Sequence, residues 1–483
     1  MPMRSLRIPC GLVALLLPGR LCAATAAPAT PTATLLAASA PLTATRMAAS
    51  VPVATTLLSP SVPVTATLAA AAVSATALAT SPPVSASPLA GSTAPGKSGS
   101  AFVPIVDADI RGAFGRVRHG GPGHGGAVGS ILVLPGWRIT PGSILLPIYS
   151  FEGSLYNHVV EEDILYLSRQ VHAGSLGFKQ ALGPVDGRIS VDADYALTKE
   201  SRGEKLGDGL YDYRDFGGRL GFSWRDTGLG VGARMYRRMY VHFFSLLSSN
   251  SAQVQGLGGD TAGANKGSRP KDYDGLEGNL SWSGKGIEAL RVKAGYSVGL
   301  RAYRDKYIWT TTRGISDTKR SDMLHRVTGG SALDLGPVAV GVDLEGIVNL
   351  SNDMEKVSPQ QDNPGHDFLA HYYEFWSASF APSAIWTLSF GHDLHPRVRL
   401  GLEVTTRNYP SRLAQHQDGQ YADSLQHDAE YAADLGGMVP VRKWLQVTGN
   451  VEYRAVRSNT DYRQLLQPGY NLLTASLGVH FSY

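Results

Sequence analysis

The chain has 483 residues, with 44 Lys and Arg against 40 Asp and Glu, a formal charge of +4. Charged residues make up 17%, below the roughly one quarter usual for soluble globular proteins, and glycine alone fills 55 positions. So even a balance disfavours a nucleic-acid binder, which needs a phosphate-tracking surface. No long Leu/Ile/Phe run follows residue 142, which argues against a bundle of transmembrane helices.

Residues 1–24 read as a secretory signal peptide: Arg4 and Arg7, an apolar stretch from Ile8 to Leu17, then a small-residue exit at Cys22-Ala23-Ala24. Both cysteines, Cys10 and Cys22, fall inside it, so a chain cleaved near Ala24 holds neither disulfides nor thiolate metal sites. Residues 25–142 read as a low-complexity disordered linker. Up to residue 100 it is almost entirely Ala, Thr, Pro, Ser, Val and Leu, with Arg46 and Lys97 as the only charges and prolines that break any helix. His119 and His124 in the Gly-rich run that follows lack a third metal ligand. Only Phe102, Phe114 and Trp137 are aromatic before residue 143.

From 143 to 483 the pattern changes to segments that alternate apolar and polar residues between turn signals. Ile189, Val191, Ala193, Tyr195 and Leu197 interleave with Arg188, Ser190, Asp192, Asp194 and Thr198. The same period of two runs through 290–301, 338–350, 398–406 and 445–455. Short turns are expected near 180–187, 226–228, 284–288, 335–337, 392–396 and 440–443. Longer polar loops are expected near 153–162, 199–212, 244–272, 309–320, 351–370, 410–423 and 459–468. Segments of ten or more residues, joined by turns sorted by length, predict an all-β fold. The expected form is a closed antiparallel transmembrane β-barrel of about fourteen strands, preceded by the disordered leader. Tyr211, Tyr213, Trp224, Tyr236, Tyr240, Tyr303, Trp309, Tyr372, Tyr373, Trp376, Tyr421, Trp444 and Tyr470 cluster near strand ends, as rings of an interfacial girdle do.

The polar faces supply candidate pore-lining residues. The basic ones are Arg188, Arg234, Arg238, Arg291, Lys293, Arg301, Arg397, Arg399, Arg407 and Arg454. The acidic ones are Asp192, Asp194, Asp343, Glu345, Glu403, Asp428, Glu430, Asp434 and Glu452. Charges this numerous are not buried dry, because each unpaired one costs several kcal/mol; a water-filled lumen and pairing across the wall both accommodate them. Basic strands at 229–242 and 289–301 against an acidic strand at 424–439 suggest opposed walls and a transverse field. Tyr236 and Tyr240 share the inner parity with Arg234 and Arg238. Gly295-Tyr-Ser297-Val-Gly299 matches the nucleophile-elbow spacing but continues through an alternating strand instead of turning into a helix. No Walker loop or His-Glu-x-x-His motif occurs. Neither enzyme, metal nor cofactor is expected.

Several stretches resemble the β-barrel porin families that accompany exopolysaccharide export in Gram-negative bacteria. They are Glu161-Glu-Asp-Ile-Leu-Tyr-Leu-Ser-Arg-Gln170, Arg188-Ile-Ser-Val-Asp-Ala-Asp-Tyr195, Tyr211-Asp-Tyr-Arg-Asp215 and Glu452-Tyr-Arg-Ala-Val-Arg-Ser-Asn459. The opening loop Phe151-Glu-Gly-Ser-Leu-Tyr-Asn157 is a partial match. The final strand, ending Phe481-Ser482-Tyr483, resembles the signal that outer-membrane proteins present to the barrel assembly machinery. The resemblance implies an outer-membrane protein with long loops outside and both termini periplasmic, in contact with outer-membrane lipid and polysaccharide export components. It implies polysaccharide export as the function. General diffusion of small hydrophilic solutes and a non-conducting barrel with partner-binding loops stay open as alternatives.

Overall fold

The structure is a computed structural model of the full chain. It describes residues 102–483 except 119–122, 161–162, 200–204, 208, 210, 242, 244–268, 288, 310–314, 357–367, 392–393, 418–419 and 462–468. The expected signal segment, the linker up to residue 101 and most of the 244–272 loop lie outside the described residues.

Sixteen antiparallel strands make one closed sheet. They are β1 (Val106–Arg118), β2 (Gly123–Val133), β3 (Ser143–Val160), β4 (Asp163–Leu182), β5 (Val185–Lys199) and β6 (Tyr213–Trp224). They continue as β7 (Leu229–Tyr240), β8 (Tyr273–Ile287), β9 (Leu290–Trp309), β10 (Ile315–Asp334) and β11 (Val338–Ser351). The last are β12 (Phe375–Thr387), β13 (Arg397–Gln415), β14 (Tyr421–Arg442), β15 (Leu445–Ser458) and β16 (Tyr470–Ser482). Each strand pairs with the next in sequence, and β16 returns to β1 in register from Asp107↔Ser482 to Arg118↔Asn471. Two short segments, Phe102–Val103 and Gly136–Thr140, prolong β1 and β2 past interruptions at Pro104 and Pro135. A small ribbon of Met354–Lys356 with Phe368–Ala370 lies between β11 and β12.

Two expectations are corrected here. The barrel has sixteen strands, not about fourteen, and it begins before residue 143 because the stretch assigned to the linker supplies β1 and β2. Val106–Val133 is rich in glycine and poor in aromatics, so it lacks the apolar contrast by which alternation is read. Its ladder is made by backbone groups, which need no particular side chain. Several expected loops are also shorter than anticipated: β3 and β4 reach Val160 and Asp163, and β13 and β14 reach Gln415 and Tyr421. There Gly153 and Asn157 on β3, and Asn408 and Pro410 on β13, interrupt the alternation, so the period-two signal fades before the strand does.

The short turns fall where the sequence places them, around Gly183, Gly228, Gly336 and Lys443. Gly336 takes φ +81°, in the left-handed region that excludes most side chains, and its N–H donates to Asp334 Oδ1 at 3.1 Å ahead of Pro337. Both barrel ends meet at this same rim, where Val106 and Tyr483 exchange backbone hydrogen bonds of 2.9 and 2.8 Å. The alternation sorts side chains cleanly. Ile189 and Val191 on β5, Phe216 and Leu220 on β6, Leu400 and Leu402 on β13, and Leu473 and Leu477 on β16 are exposed on the outside. Asp192, Asp215, Glu452 and Arg454 are buried on the inside. A soluble sandwich has the opposite sorting.

Because closure needs β1 and β2, a chain starting at residue 143 is expected to give no compact, heat-modifiable band on an unheated SDS gel after refolding. A chain starting at residue 102 is expected to give one, and equal behaviour of the two would refute this account of closure.

Candidate functional site: the inner wall

Inward residues come from alternate positions of every strand, and glycine decides which of them can meet. On β5–β7, Asp192 holds two arginines: Arg219 Nε at 3.2 Å and Arg234 Nη2 at 2.5 Å. Arg234 also lies 3.6 Å from Asp194. Arg234 sits two strands from Asp192, and the strand between carries Gly217, where a Cβ would come within 3.3 Å of Asp192 Oδ2. The device recurs on β9–β11. Lys293 Nζ and Asp343 Oδ1 meet at 2.7 Å over Gly330, and a side chain there would collide with both. Tyr236 likewise lies flat over Gly275, its cross-strand partner on β8. Inward glycines let long neighbours bridge over an intervening strand.

Toward the long-loop end the wall becomes a belt of tyrosines and arginines. Arg238 donates to both oxygens of fully buried Asp215, at 2.8 and 2.5 Å, and covers the Tyr213 ring at 4.0 Å. Arg234 stands over Tyr236 at 4.4 Å, and Arg301 lies 5.6 Å from the Tyr273 centroid. Tyr236, Tyr273 and Tyr303 follow one another at 6.0 and 5.5 Å. Arg320, 3% exposed, is clasped between Tyr303 at 4.7 Å and Tyr373 at 4.1 Å. It donates to Asp322 at 2.9 and 3.0 Å and to Asp353 at 3.3 Å. Ser351 Oγ and Tyr303 Oη donate to the same Asp322, and Lys306 Nζ meets Asp353 at 2.8 Å. On β12–β13, Arg407 covers Phe375 at 4.9 Å and Arg412 covers Tyr372 and Tyr409 at 4.2 Å each. Each desolvated stack contributes up to about 2 kcal/mol.

The belt has a rim. Asp272, just before β8, accepts the Tyr240 N–H at 2.7 Å, and burial pushes its carboxyl above the ordinary range. At the opposite rim, Arg225 donates to Asp186, which holds the guanidinium above its usual value.

The remaining expected residues divide between paired and open positions. Arg454 on β15 donates to Glu452 at 2.7 Å and also binds Glu430 on β14. Arg399 lies 3.8 Å from Asp434, and Glu345 is 3.5 Å from Arg326. Asp428 accepts from Ser458 Oγ at 2.6 Å, and Glu403 accepts from Ser379 and Thr405 at 3.3 and 3.2 Å. Arg188 packs beside Gly177 near Arg219, whereas Arg291 and Arg397 are exposed. The expected opposition of a basic and an acidic wall is corrected: the acids of β14 face arginines of β13 and β15, so charge is balanced locally. Register brings these strands together, and a strand-by-strand charge count does not contain it. Tyr236 and Tyr240 lie inward, at the parity read for them beside Arg234 and Arg238, whereas Tyr213, Tyr303 and Tyr373, expected in an interfacial girdle, turn inward instead. Trp376 and Trp444 remain outside. Arg320, Asp322, Asp353 and Lys306 were missed because they sit in or beside stretches taken for loops; the Arg320-x-Asp322 spacing, which puts both on one strand face, was their signal. Ser297 of the elbow-like motif lies mid-strand opposite Asn279 and Arg326. Among the described residues, no three His, Cys, Asp or Glu side chains are grouped to hold a metal.

No family model and no curated protein matches the chain. Solved structures do. A "bacterial polysaccharide outer membrane secretin" aligns with TM-score 0.38 and 10% identity over 78% of this chain and 98% of its own. OprB of Pseudomonas putida aligns with TM-score 0.41 and 11% identity over 79% of this chain and 94% of its own. OccD3 (OpdP) of Pseudomonas aeruginosa aligns with TM-score 0.41 and 8% identity over 80% and 93%. At these distances no cargo and no residue role transfers; the barrel rests on its own strand pairing.

Replacing Arg454 with Met strips Glu430 and Glu452 of their shared cation and is expected to cost about 3–5 kcal/mol, read by urea unfolding in detergent. Adding Glu430→Gln and Glu452→Gln should recover most of it; no recovery would mean that the pairing is not what Arg454 contributes. Gly330→Val is expected to separate Lys293 from Asp343, and because both side chains are largely exposed the same urea unfolding should show a loss of at most about 1 kcal/mol.

Proposed function

We propose that this protein is a bacterial outer-membrane pore that conducts hydrophilic solutes, with a saccharide polymer moving outward as its preferred cargo. The observation that carries the reading is the sorting of the closed ladder: apolar side chains outside, ionised side chains inside. A barrel of sixteen strands is wide enough to leave an aqueous channel after its interior side chains are placed. Water in that channel hydrates Arg291 and Arg397, while most of the other charges pair within the wall. In this orientation the short turns and both barrel ends face the periplasm and the long loops face outward, as bacterial barrels are built. The strand Tyr470–Ser482 engages the assembly machinery.

The locally neutral wall supports an uncharged or mixed cargo. A wall of one sign concentrates counter-ions, whereas paired carboxylates and guanidinia offer hydrogen-bond donors and acceptors without a net field. This suits sugar hydroxyls, and it joins the sequence resemblance in favouring polysaccharide. Small hydrophilic solutes would be accepted by the same lining.

Planar bilayers test the reading. Refolded protein is expected to give stable conductance steps with little preference between cations and anions, reduced by neutral oligosaccharide. Lys293→Met, which leaves Asp343 without its cation, is expected to shift selectivity toward cations, and adding Asp343→Asn should restore it. A folded, inserted and silent barrel would overturn conduction and leave a surface barrel whose loops bind a partner. Steps unaffected by oligosaccharide would leave a general diffusion pore.

A further inference from the structure

Alternation gives the strands an apolar and a polar face, and at the short-turn mouth β2 and β3 depart from it. β2 ends Ile131-Leu-Val133, and β3 carries Ile144-Leu-Leu-Pro-Ile148 just after its start, so both are apolar on both faces there. Ile131, Val133, Leu145 and Pro147 share the outward parity of Tyr149 and Leu155, which are exposed. Leu132, Ile144, Leu146 and Ile148 have the inward parity and are half-buried. Across the ladder they meet Asp107, Ser150, Ser175, Gly177 and Lys179. The charges around them have partners of their own: His480 lies 3.3 Å from Asp107 and 3.8 Å from Asp109, and Arg111 binds Asp109 at 2.6 Å. Lys179 binds Asp186 at 2.9 Å. Arg188 packs beside Gly177, and Glu152 stands deeper on β3, beyond Ser150.

A strand apolar on both faces is built to be covered on both sides, and an apolar patch that fronts water marks a binding surface. Lipid covers the outer side under the membrane reading; the inner side fronts the lumen. The chain that precedes the barrel arrives at this same mouth. Phe102 pairs with Trp137, their rings 5.3 Å apart, and Trp137 pairs in turn with Leu145 on β3. Phe102 therefore enters two strand spacings from β3, about 10 Å. Ahead of it, residues 51–80 hold five Val and four Leu among Ala, Thr, Ser and Pro, with no Lys, Arg, Asp, Glu or His. Residues 81–101 join that stretch to the barrel, and at about 3.4 Å per residue they reach much further than the patch requires.

We propose that the uncharged stretch 51–80 of the same chain enters the lumen through the short-turn mouth and covers the inward face of β2 and β3. The inference rests on the closed barrel and not on conduction. Aliphatic side chains of the stretch match Leu132, Ile144, Leu146 and Ile148, whereas the ionised wall of β5–β15 loses hydration without gaining a partner when an uncharged segment lies on it. Sugar hydroxyls match that ionised wall, so the apolar sector is the part of the lining that a saccharide does not use. A separate polypeptide has to be recruited to the mouth, while a tethered segment meets the patch intramolecularly. The segment narrows the entrance and leaves the paired charges of the wall in place.

The test uses the full chain, refolded in detergent as a mixture of isotopically light and heavy copies, with the photo-crosslinker benzoylphenylalanine at position 146. Parallel samples carry it at position 155, which faces outward on β3, or at position 383, which faces inward on β12 at similar depth. After irradiation and digestion, mass spectrometry should find position 146 joined to peptides from residues 51–80 of the same copy. Positions 155 and 383 should give no such product. The combined variant Leu58→Asp, Val64→Asp and Leu68→Asp touches no barrel residue and should abolish the product, while heat-modifiability confirms that the barrel still folds. No product from 146, equal product from 155 or 383, or product that survives the three aspartates would overturn the proposal. Product joining light and heavy copies would also overturn it, since a second copy would then cover the patch. Conductance steps without the crosslink would leave conduction standing and remove this inference; a silent barrel with the crosslink would do the reverse.

Discussion

Every other feature of the molecule depends on the closing seam between β16 and β1. An open sheet in hydrocarbon leaves a row of N–H and C=O groups unpaired, at several kcal/mol each. The seam removes that row, with Asp107 to Arg118 matched residue for residue to Ser482 to Asn471. Once the ring is closed, strand parity has only two destinations. Odd and even positions cease to be alternatives and become an inside and an outside, so a single apolar alternation sets where every charge goes.

Inside, the difficulty is to hold many charges next to one another, and the molecule meets it with glycine. Gly217 and Gly330 are not turn residues; they are gaps in the wall through which Arg234 reaches Asp192 and Lys293 reaches Asp343. Ion pairs that cross an intervening strand tie three strands together rather than two. The tyrosine–arginine belt does the same with rings, since Arg320 lies between Tyr303 and Tyr373 while binding Asp322 and Asp353. Breaking one member exposes a buried charge, so the belt behaves as a unit. The resulting wall balances most of its charge between neighbouring strands.

The two ends of the barrel serve different purposes. At the short-turn rim the chain is economical: Gly336 and its neighbours reverse direction in a few residues, and both barrel ends meet there. At the other rim the strands run past the apolar band and the belt closes over buried carboxylates. That asymmetry distinguishes the two ends of the barrel.

The sequence by itself determined the class of fold, the sorting of turn lengths and the inward parity of residues such as Asp192, Arg234 and Arg454. Those properties are local: a period of two is written in neighbouring residues and survives any arrangement of strands. Strand number was not legible in this way, because Val106–Val133 pairs through its backbone while its glycines hide the alternation. Nor were the partners of the charges. Which acid meets Arg234, or that Arg320 would be held by residues from both sides of a long loop, is set by cross-strand register and by gaps at glycine. Both exist only when the ring is closed, which is why the tertiary structure alone turned two apparent walls of opposite sign into a chain of neighbouring pairs.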